Sequence, residues 1–147
     1  MDPYLQEAIE EAKKGLAEGG IPIGSVIVHQ GHIIGRGHNR RVQDNSVILH
    51  GEMSAFENAG RQPARVYRDC VLYTTLSPCP MCAGAIVMAR IPRLVVGTRD
   101  PRTGACGSLW NIVCDPRLNH QVDIKFDVME EECRKLLESF FRDLRSR

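Results

Sequence analysis

Two stretches, His50-Gly51-Glu52 and further on Pro78-Cys79-Pro80-Met81-Cys82, decide how this chain is read. One imidazole and two thiols are donors that suit Zn²⁺. That ion takes four tetrahedral protein ligands in a structural site, but three plus a water in a catalytic one. Three protein donors, His50, Cys79 and Cys82, therefore point to one zinc ion per chain with an open fourth position. Glu52, two residues past the histidine, adds a carboxylate that can move protons. At helical spacing it turns away from His50, so it need not bind the metal. A lone Cys-x-x-Cys could be redox-active or structural, and a lone His-x-Glu says less. The two together, in this order, with proline before the first cysteine and both at expected helix starts, select a catalytic metal.

The rest of the chain fits a small enzyme. Its 147 residues are one domain's worth, so residues 1–147 are read as a single domain with a substantial core. Hydrophobic residues at 43% and charged residues at 25% exclude a disordered chain. No apolar run approaches the ~20 residues of a membrane span. The start, Met1-Asp2-Pro3-Tyr4, reads as the opening of a helix and not as a signal peptide, so a cytoplasmic protein with no membrane partner is expected. Six cysteines could form three disulfides. In a reducing compartment free thiols and metal binding are favoured instead, with Cys70, Cys106, Cys114 and Cys133 as small core or loop residues. A net charge of +1 does not announce nucleic acid. Arg90, Arg93, Arg99, Arg102 and Arg117 locally outnumber Asp100 and Asp115, and Arg142, Arg145 and Arg147 crowd the end; this pattern reads as solvated surface.

Leu5, Ala8, Ile9, Ala12 and Leu16 recur at helical spacing, predicting a helix over 3–18 that Gly19-Gly20 ends. Residues 23–29 and 32–37 are β-rich and joined at Gln30-Gly31, a hairpin signal. A helix is expected from Gly51 to about Ala59, then a strand over 70–75. Ser77-Pro78 resembles an N-cap and N1 proline starting a helix to Arg90. A strand over 94–97, a long irregular connection over 98–120, a short strand over 122–126 and a closing helix around Cys133–Leu144 complete the order. It predicts an α/β fold, a three-layer α/β/α sandwich around a mixed five-stranded sheet.

A thiolate at a helix N-terminus is favoured by aligned amides, so the predicted helix starts suit the metal donors. Glu52 is assigned as the catalytic acid–base, a role that contributes typically ~10²–10⁴-fold. His29, His32 and His38 are read as surface or packing residues, and His120 is unassigned.

These motifs resemble the cytidine-deaminase superfamily, and two of its branches at once. Residues 5–98 are similar to small zinc cytosine deaminases of the fungal type. The matching stretches include Glu18-Gly19-Gly20-Ile21-Pro22-Ile23-Gly24, Gly35-Arg36-Gly37-His38-Asn39, Leu49-His50-Gly51-Glu52-Met53-Ser54 and Leu72-Tyr73-Thr74-Thr75-Leu76-Ser77-Pro78-Cys79. Gly51 and Ser77 are specific to that side, where the tRNA enzymes usually carry alanine and glutamate. Residues 99–147 look instead like bacterial tRNA adenosine deaminases, through Arg99-Asp100-Pro101-Arg102-Thr103-Gly104-Ala105-Cys106-Gly107-Ser108 and Asp115-Pro116-Arg117-Leu118-Asn119-His120. A mosaic with its junction near residue 99 is one reading of this split.

The resemblance implies a zinc-dependent hydrolase that deaminates a nucleobase, with Asn39 contacting the base and Gly51, Ser77 and Ile23 as further pocket residues. Cytosine-type residues around the metal favour cytosine to uracil and ammonia. The alternatives are adenosine to inosine in a tRNA anticodon loop, and an idle zinc-binding interaction module. Against cytosine, the ending Asp143-Leu144-Arg145-Ser146-Arg147 carries no tryptophan, so the C-terminal lid of the cytosine enzymes is not expected here. Both branches form homodimers, so a second copy is the expected partner, beside a small nucleobase substrate or tRNA.

Overall fold

The computed structural model describes residues 2–107 and 110–146. Helix α1 (Pro3–Ala17) starts at Asp2, whose Oδ1 accepts hydrogen bonds from the amides of Tyr4 and Leu5 at 3.0 and 3.1 Å. Its apolar stripe of Leu5, Ala8, Ile9 and Ala12 is buried. Strands β1 (Gly24–His29) and β2 (His32–His38) form the hairpin that the sequence predicts. Gln30 and Gly31 both have positive φ, 50° and 80°, as a tight two-residue turn between twisted strands requires. Helix α2 (Gly51–Ala59) follows, then β3 (Cys70–Leu76), α4 (Pro80–Ala89), β4 (Arg93–Thr98), β5 (Asp123–Lys125) and α5 (Glu130–Arg145). A one-turn helix, α3 (Ala64–Tyr67), precedes β3. It buries none of its residues, which is why no hydrophobic period marks it.

The five strands lie in the order β2-β1-β3-β4-β5. β1 runs antiparallel to β2 and β3, whereas β3, β4 and β5 are parallel. The sheet is therefore mixed, as expected. One face is covered by α1 and α5, through a cluster of Leu5, Ala8, Ile9 and Cys133 with Tyr73 packed against it. The other face is covered by α2 and α4. There Ile27, Leu72, Leu94 and Val96 meet Ala55, Ala59, Ala83, Ile86 and Val87. The irregular stretch after β4 contributes Ala105, Cys106, Val113 and Val122 to this larger core, so it is inserted and not merely draped. All six cysteines are free. Among the described residues no helix is long and apolar enough to cross a membrane.

Glycines set how closely α1 and α2 approach the sheet. A Cβ on Gly24 would lie 2.5 Å from the Ala12 amide nitrogen and would also strike the Ala8 carbonyl. A Cβ on Gly37 would lie 2.6 Å from the Ala55 nitrogen and would strike Ser54 Oγ. Both positions need a residue without a side chain because helix backbone lies against the strand.

One element differs at its start. The sequence places Ser77 as the N-cap of the third long helix, but α4 begins at Pro80 with Cys79 as N-cap. The Ser77 amide instead donates to the Thr98 carbonyl at 2.9 Å, prolonging the β3–β4 pairing by one residue. Both Ser77-Pro78 and Cys79-Pro80 match the cap-then-proline pattern, and the sheet takes the first.

Candidate active site and metal centre

The C-terminal end of β3 and the N-termini of α2 and α4 converge. His50 is the N-cap of α2, Cys79 the N-cap of α4, and Cys82 lies in the first turn of α4. His50 makes no side-chain capping bond to α2, so its imidazole is free to face the two cysteines. His50 Nδ1 lies 3.4 Å from Cys79 Sγ and 3.7 Å from Cys82 Sγ. All three donor atoms fall within 4.8 Å of one another. A tetrahedral ion with Zn–N near 2.05 Å and Zn–S near 2.3 Å sets N···S at about 3.5 Å. Both N···S separations therefore match tetrahedral zinc, and three protein donors are the number a catalytic site uses.

The electrostatics suit the same reading. The Cys79 thiol is pushed down to about 4, first by hydrogen bonding from Cys82 and further by His50, against the effect of burial. Cys82 is pushed far up, chiefly by the Cys79 sulfur it donates to. The bond to Cys79 raises His50, against burial. The ends of two helices add amide dipoles that favour negative sulfur.

Glu52 is almost wholly buried, at 3% exposure. Burial raises its pKa, opposed by hydrogen bonds with Cys82 and Thr74. Two hydroxyls donate to the same carboxylate oxygen, Oε1: Thr74 Oγ1 at 2.6 Å and Ser25 Oγ at 3.3 Å. Sequence reasoning missed both. A polar residue inside an otherwise apolar strand, as in Gly24-Ser25-Val26-Ile27-Val28, was the available signal.

A cavity of about 180 Å³ opens beside these groups, lined by Ile23, Asn39, His50, Glu52, Leu76, Ser77, Cys79, Asp100 and Thr103. Ile23, Asn39 and Ser77 thus line the same cavity as His50, Glu52 and Cys79. Gly51 does not line the cavity. It packs against β1, where an added Cβ would sit 3.3 Å from both the Ile23 carbonyl and Ser25 Oγ. Leu76, Asp100 and Thr103 are additions. Asp100 shapes its own loop, since its carboxylate accepts from the Arg102 and Thr103 amides and from Thr103 Oγ1. Asn39 Oδ1 is occupied by the Arg41 amide at 2.9 Å, which leaves the amide N–H groups as donors. Ser77 Oγ is buried with no hydrogen-bond partner among the described residues.

His38 is neither on the surface nor simple packing. It is buried, with Nδ1 3.0 Å from Glu11 and Nε2 2.8 Å from Glu18, and so ties β2 to α1 just before Asn39. His120 bonds the Ile91 carbonyl at 2.8 Å, on the core and away from the cavity.

Residues 2–98 match the family model described as the cytidine and deoxycytidylate deaminase zinc-binding region. The chain belongs to this family. The deaminase is 43% identical over 145 residues to a tRNA-specific adenosine deaminase of Bacillus subtilis (strain 168), covering 98% of this chain and 90% of that one. Its likeness to a cytosine deaminase of Candida albicans is higher, 57%, but spans 94 residues, 63% of each chain. A solved structure from a study of A-to-I editing by tRNA:A34 deaminases superposes with a TM-score of 0.81 at 34% identity, covering 91% of this chain and 98% of that one. Both resemblances read in the sequence are therefore present, and the fold is that of the family. The deaminase is a zinc-dependent hydrolase, which removes the idle-module alternative.

Proposed function

We propose that this deaminase converts adenosine to inosine within an RNA, in the anticodon loop of a tRNA, releasing ammonia. This replaces free cytosine as the first reading. The supporting observation is the makeup of the cavity mouth. Its lining includes Asp100 and Thr103, from the part of the chain that resembles the tRNA enzymes, and no described residue of α5. A cavity of about 180 Å³ takes one base and leaves the attached sugar–phosphate chain outside. Two relatives that each cover 98% of this chain, at 43% and 42% identity, are named tRNA-specific adenosine deaminases.

His50, Cys79 and Cys82 hold the zinc in this reading. When bound, zinc makes a water acidic enough to serve as a nucleophile near neutral pH. Glu52 would carry one proton from the attacking water to a ring nitrogen of the base and the second to the departing amine. Adenosine and water thus give inosine and ammonia. Asn39 donates to an acceptor on the base or ribose, and Ser77 supplies its unpartnered hydroxyl. Ile23 packs against the ring.

Cytosine is the second reading, favoured by Gly51 and Ser77 and by the high identity of the metal-bearing part to a cytosine deaminase. Ammonia release from an adenosine-bearing anticodon stem-loop and from free cytosine, run in parallel, separates the two. Release from the stem-loop alone supports the proposal, and release from cytosine alone overturns it. Glu52→Gln should keep zinc and lose turnover; retained turnover would remove Glu52 as the proton carrier.

The partner is a second copy of the chain, in a cytoplasmic enzyme. Helix α4 is apolar on nearly every side, yet Met88 is 84% exposed. With Met53, Phe56 and Met81 it lines an open groove between α2 and α4. An all-round apolar helix needs cover on its outer face too.

A further inference from the structure

We infer that Ser25 and Thr74 form a paired hydroxyl clamp that fixes the orientation of the Glu52 carboxylate toward the cavity. This rests on Glu52 being the proton carrier. The two residues are direct partners across the antiparallel β1–β3 ladder, so their side chains leave the sheet side by side on one face. Both are fully buried. Glu52 reaches down from the first turn of α2 and places Oε1 between them, 2.6 Å from Thr74 Oγ1 and 3.3 Å from Ser25 Oγ.

The hydrogen accounting decides what the pair does. Each hydroxyl has one proton to give. Thr74 could spend its proton on the Leu76 carbonyl at 3.1 Å, but the shorter contact is to the carboxylate, and a charged acceptor makes the stronger bond. With two hydroxyls on Oε1, the carboxylate is anchored to the sheet on that side and kept from rotating, and it faces the cavity that Glu52 lines. The Cys82 thiol bonds the same carboxylate.

Ser25 and Thr74 are accordingly positioning residues. They touch Glu52, and not the substrate. Gly51 belongs to the same device, because its missing side chain lets Ser25 Oγ approach the start of α2.

The test is a set of zinc-loaded variants of the whole protein: Thr74→Val, Thr74→Ser, Ser25→Ala and Glu52→Gln. Ammonia release is followed with the anticodon stem-loop and with cytosine. Thr74→Val keeps the shape and removes the hydroxyl. It should lower kcat on the order of 10- to 100-fold with KM and zinc content unchanged, the range expected for losing a hydrogen bond to a charged group. Thr74→Ser should restore kcat to near wild type although it loses a buried methyl group and melts lower. Ser25→Ala should have a smaller effect, in line with its longer contact. An inactive Glu52→Gln beside a fully active Thr74→Val overturns the clamp and leaves Glu52 in place. An active Glu52→Gln overturns the proton-carrier assignment itself. A crystal structure of Thr74→Val decides the matter without turnover. A rotated Glu52 carboxylate supports the clamp, and an unmoved one refutes it.

Discussion

Replacing Gly37 by alanine should damage the metal centre from a distance, although Gly37 does not line the cavity. The new methyl carbon would sit 2.6 Å from the Ala55 nitrogen and closer still to Ser54 Oγ. Ordinary contact for such atoms is about 3.4 Å or more, so α2 must lift by roughly 0.8 Å. Overpacking of this kind costs about 1–3 kcal/mol. For a chain of this size each kcal/mol lowers Tm by about 2–4 °C, which places the expected drop at about 2–12 °C. Helix α2 also carries His50 at its cap and Glu52 in its first turn. Lifting it moves the imidazole relative to Cys79 and Cys82, whose present separations of 3.4 and 3.7 Å already match tetrahedral zinc. A misplacement of ~1 Å can cost 10²-fold in rate. Thermal melts with and without a chelator, zinc content and kcat/KM on the active substrate measure the three consequences. A variant with wild-type Tm and wild-type kcat/KM would refute the reasoning, since it would mean that α2 does not rest on the backbone of β2.

Cys82→Ala should lose zinc and the stabilisation zinc gives, because metal affinity and folding are coupled; unchanged stoichiometry by atomic absorption would remove Cys82 as a ligand. Glu11 is buried, which raises its pKa, yet hydrogen bonds from His38 and Lys14 outweigh burial and hold it below the ordinary 4.5. A carboxylate lowered in the folded state contributes stability that is present above 4.5 and lost as pH falls through the folded value. Glu11→Gln should therefore destabilise at pH 7, and its penalty should shrink at acid pH; a penalty equal at both would show that packing alone is at stake. Met88→Asp should turn a dimer into a monomer in light scattering without unfolding the chain, and a dimer that survives it would place the interface elsewhere.

The helices with strong local punctuation were legible. Asp2 and Pro3 open α1, Gly19-Gly20 closes it, and Gly60 closes α2, so the sequence alone gives their ends to within a residue. Strand β5 came out shorter than expected because Val122 and Phe126 serve the core as flanking residues, outside the ladder. The start of α4 was misplaced because two adjacent cap-and-proline pairs compete, and a hydrogen bond from Ser77 to another strand settles the choice. Metal donors were legible because their chemistry is rare and their spacing constrained. The hydroxyls of Ser25 and Thr74 were not, since a single small polar residue in a buried strand looks like any other core position until the third partner is known. His38 escaped for the same reason. Its two carboxylates come from α1 and its C-cap, 27 and 20 residues earlier, and no local pattern joins them.

The loop that bears Asp100 and Thr103 has a standing in this molecule unlike that of the other cavity walls. Its tip is shaped by local bonds to the Asp100 carboxylate and by Gly104 to the Asp100 carbonyl, while Ala105 and Cys106 behind it anchor it in the core. The groups that would perform the hydrolysis all come from residues 25–82, fastened to sheet and helix. The rim thus comes from a different part of the chain than the reacting groups, although Ile23, Asn39 and Ser77 of the same cavity do not. A lineage could exchange the rim and take up a new substrate without reinventing its chemistry, and a laboratory selection aimed at residues 99–107 could attempt the same.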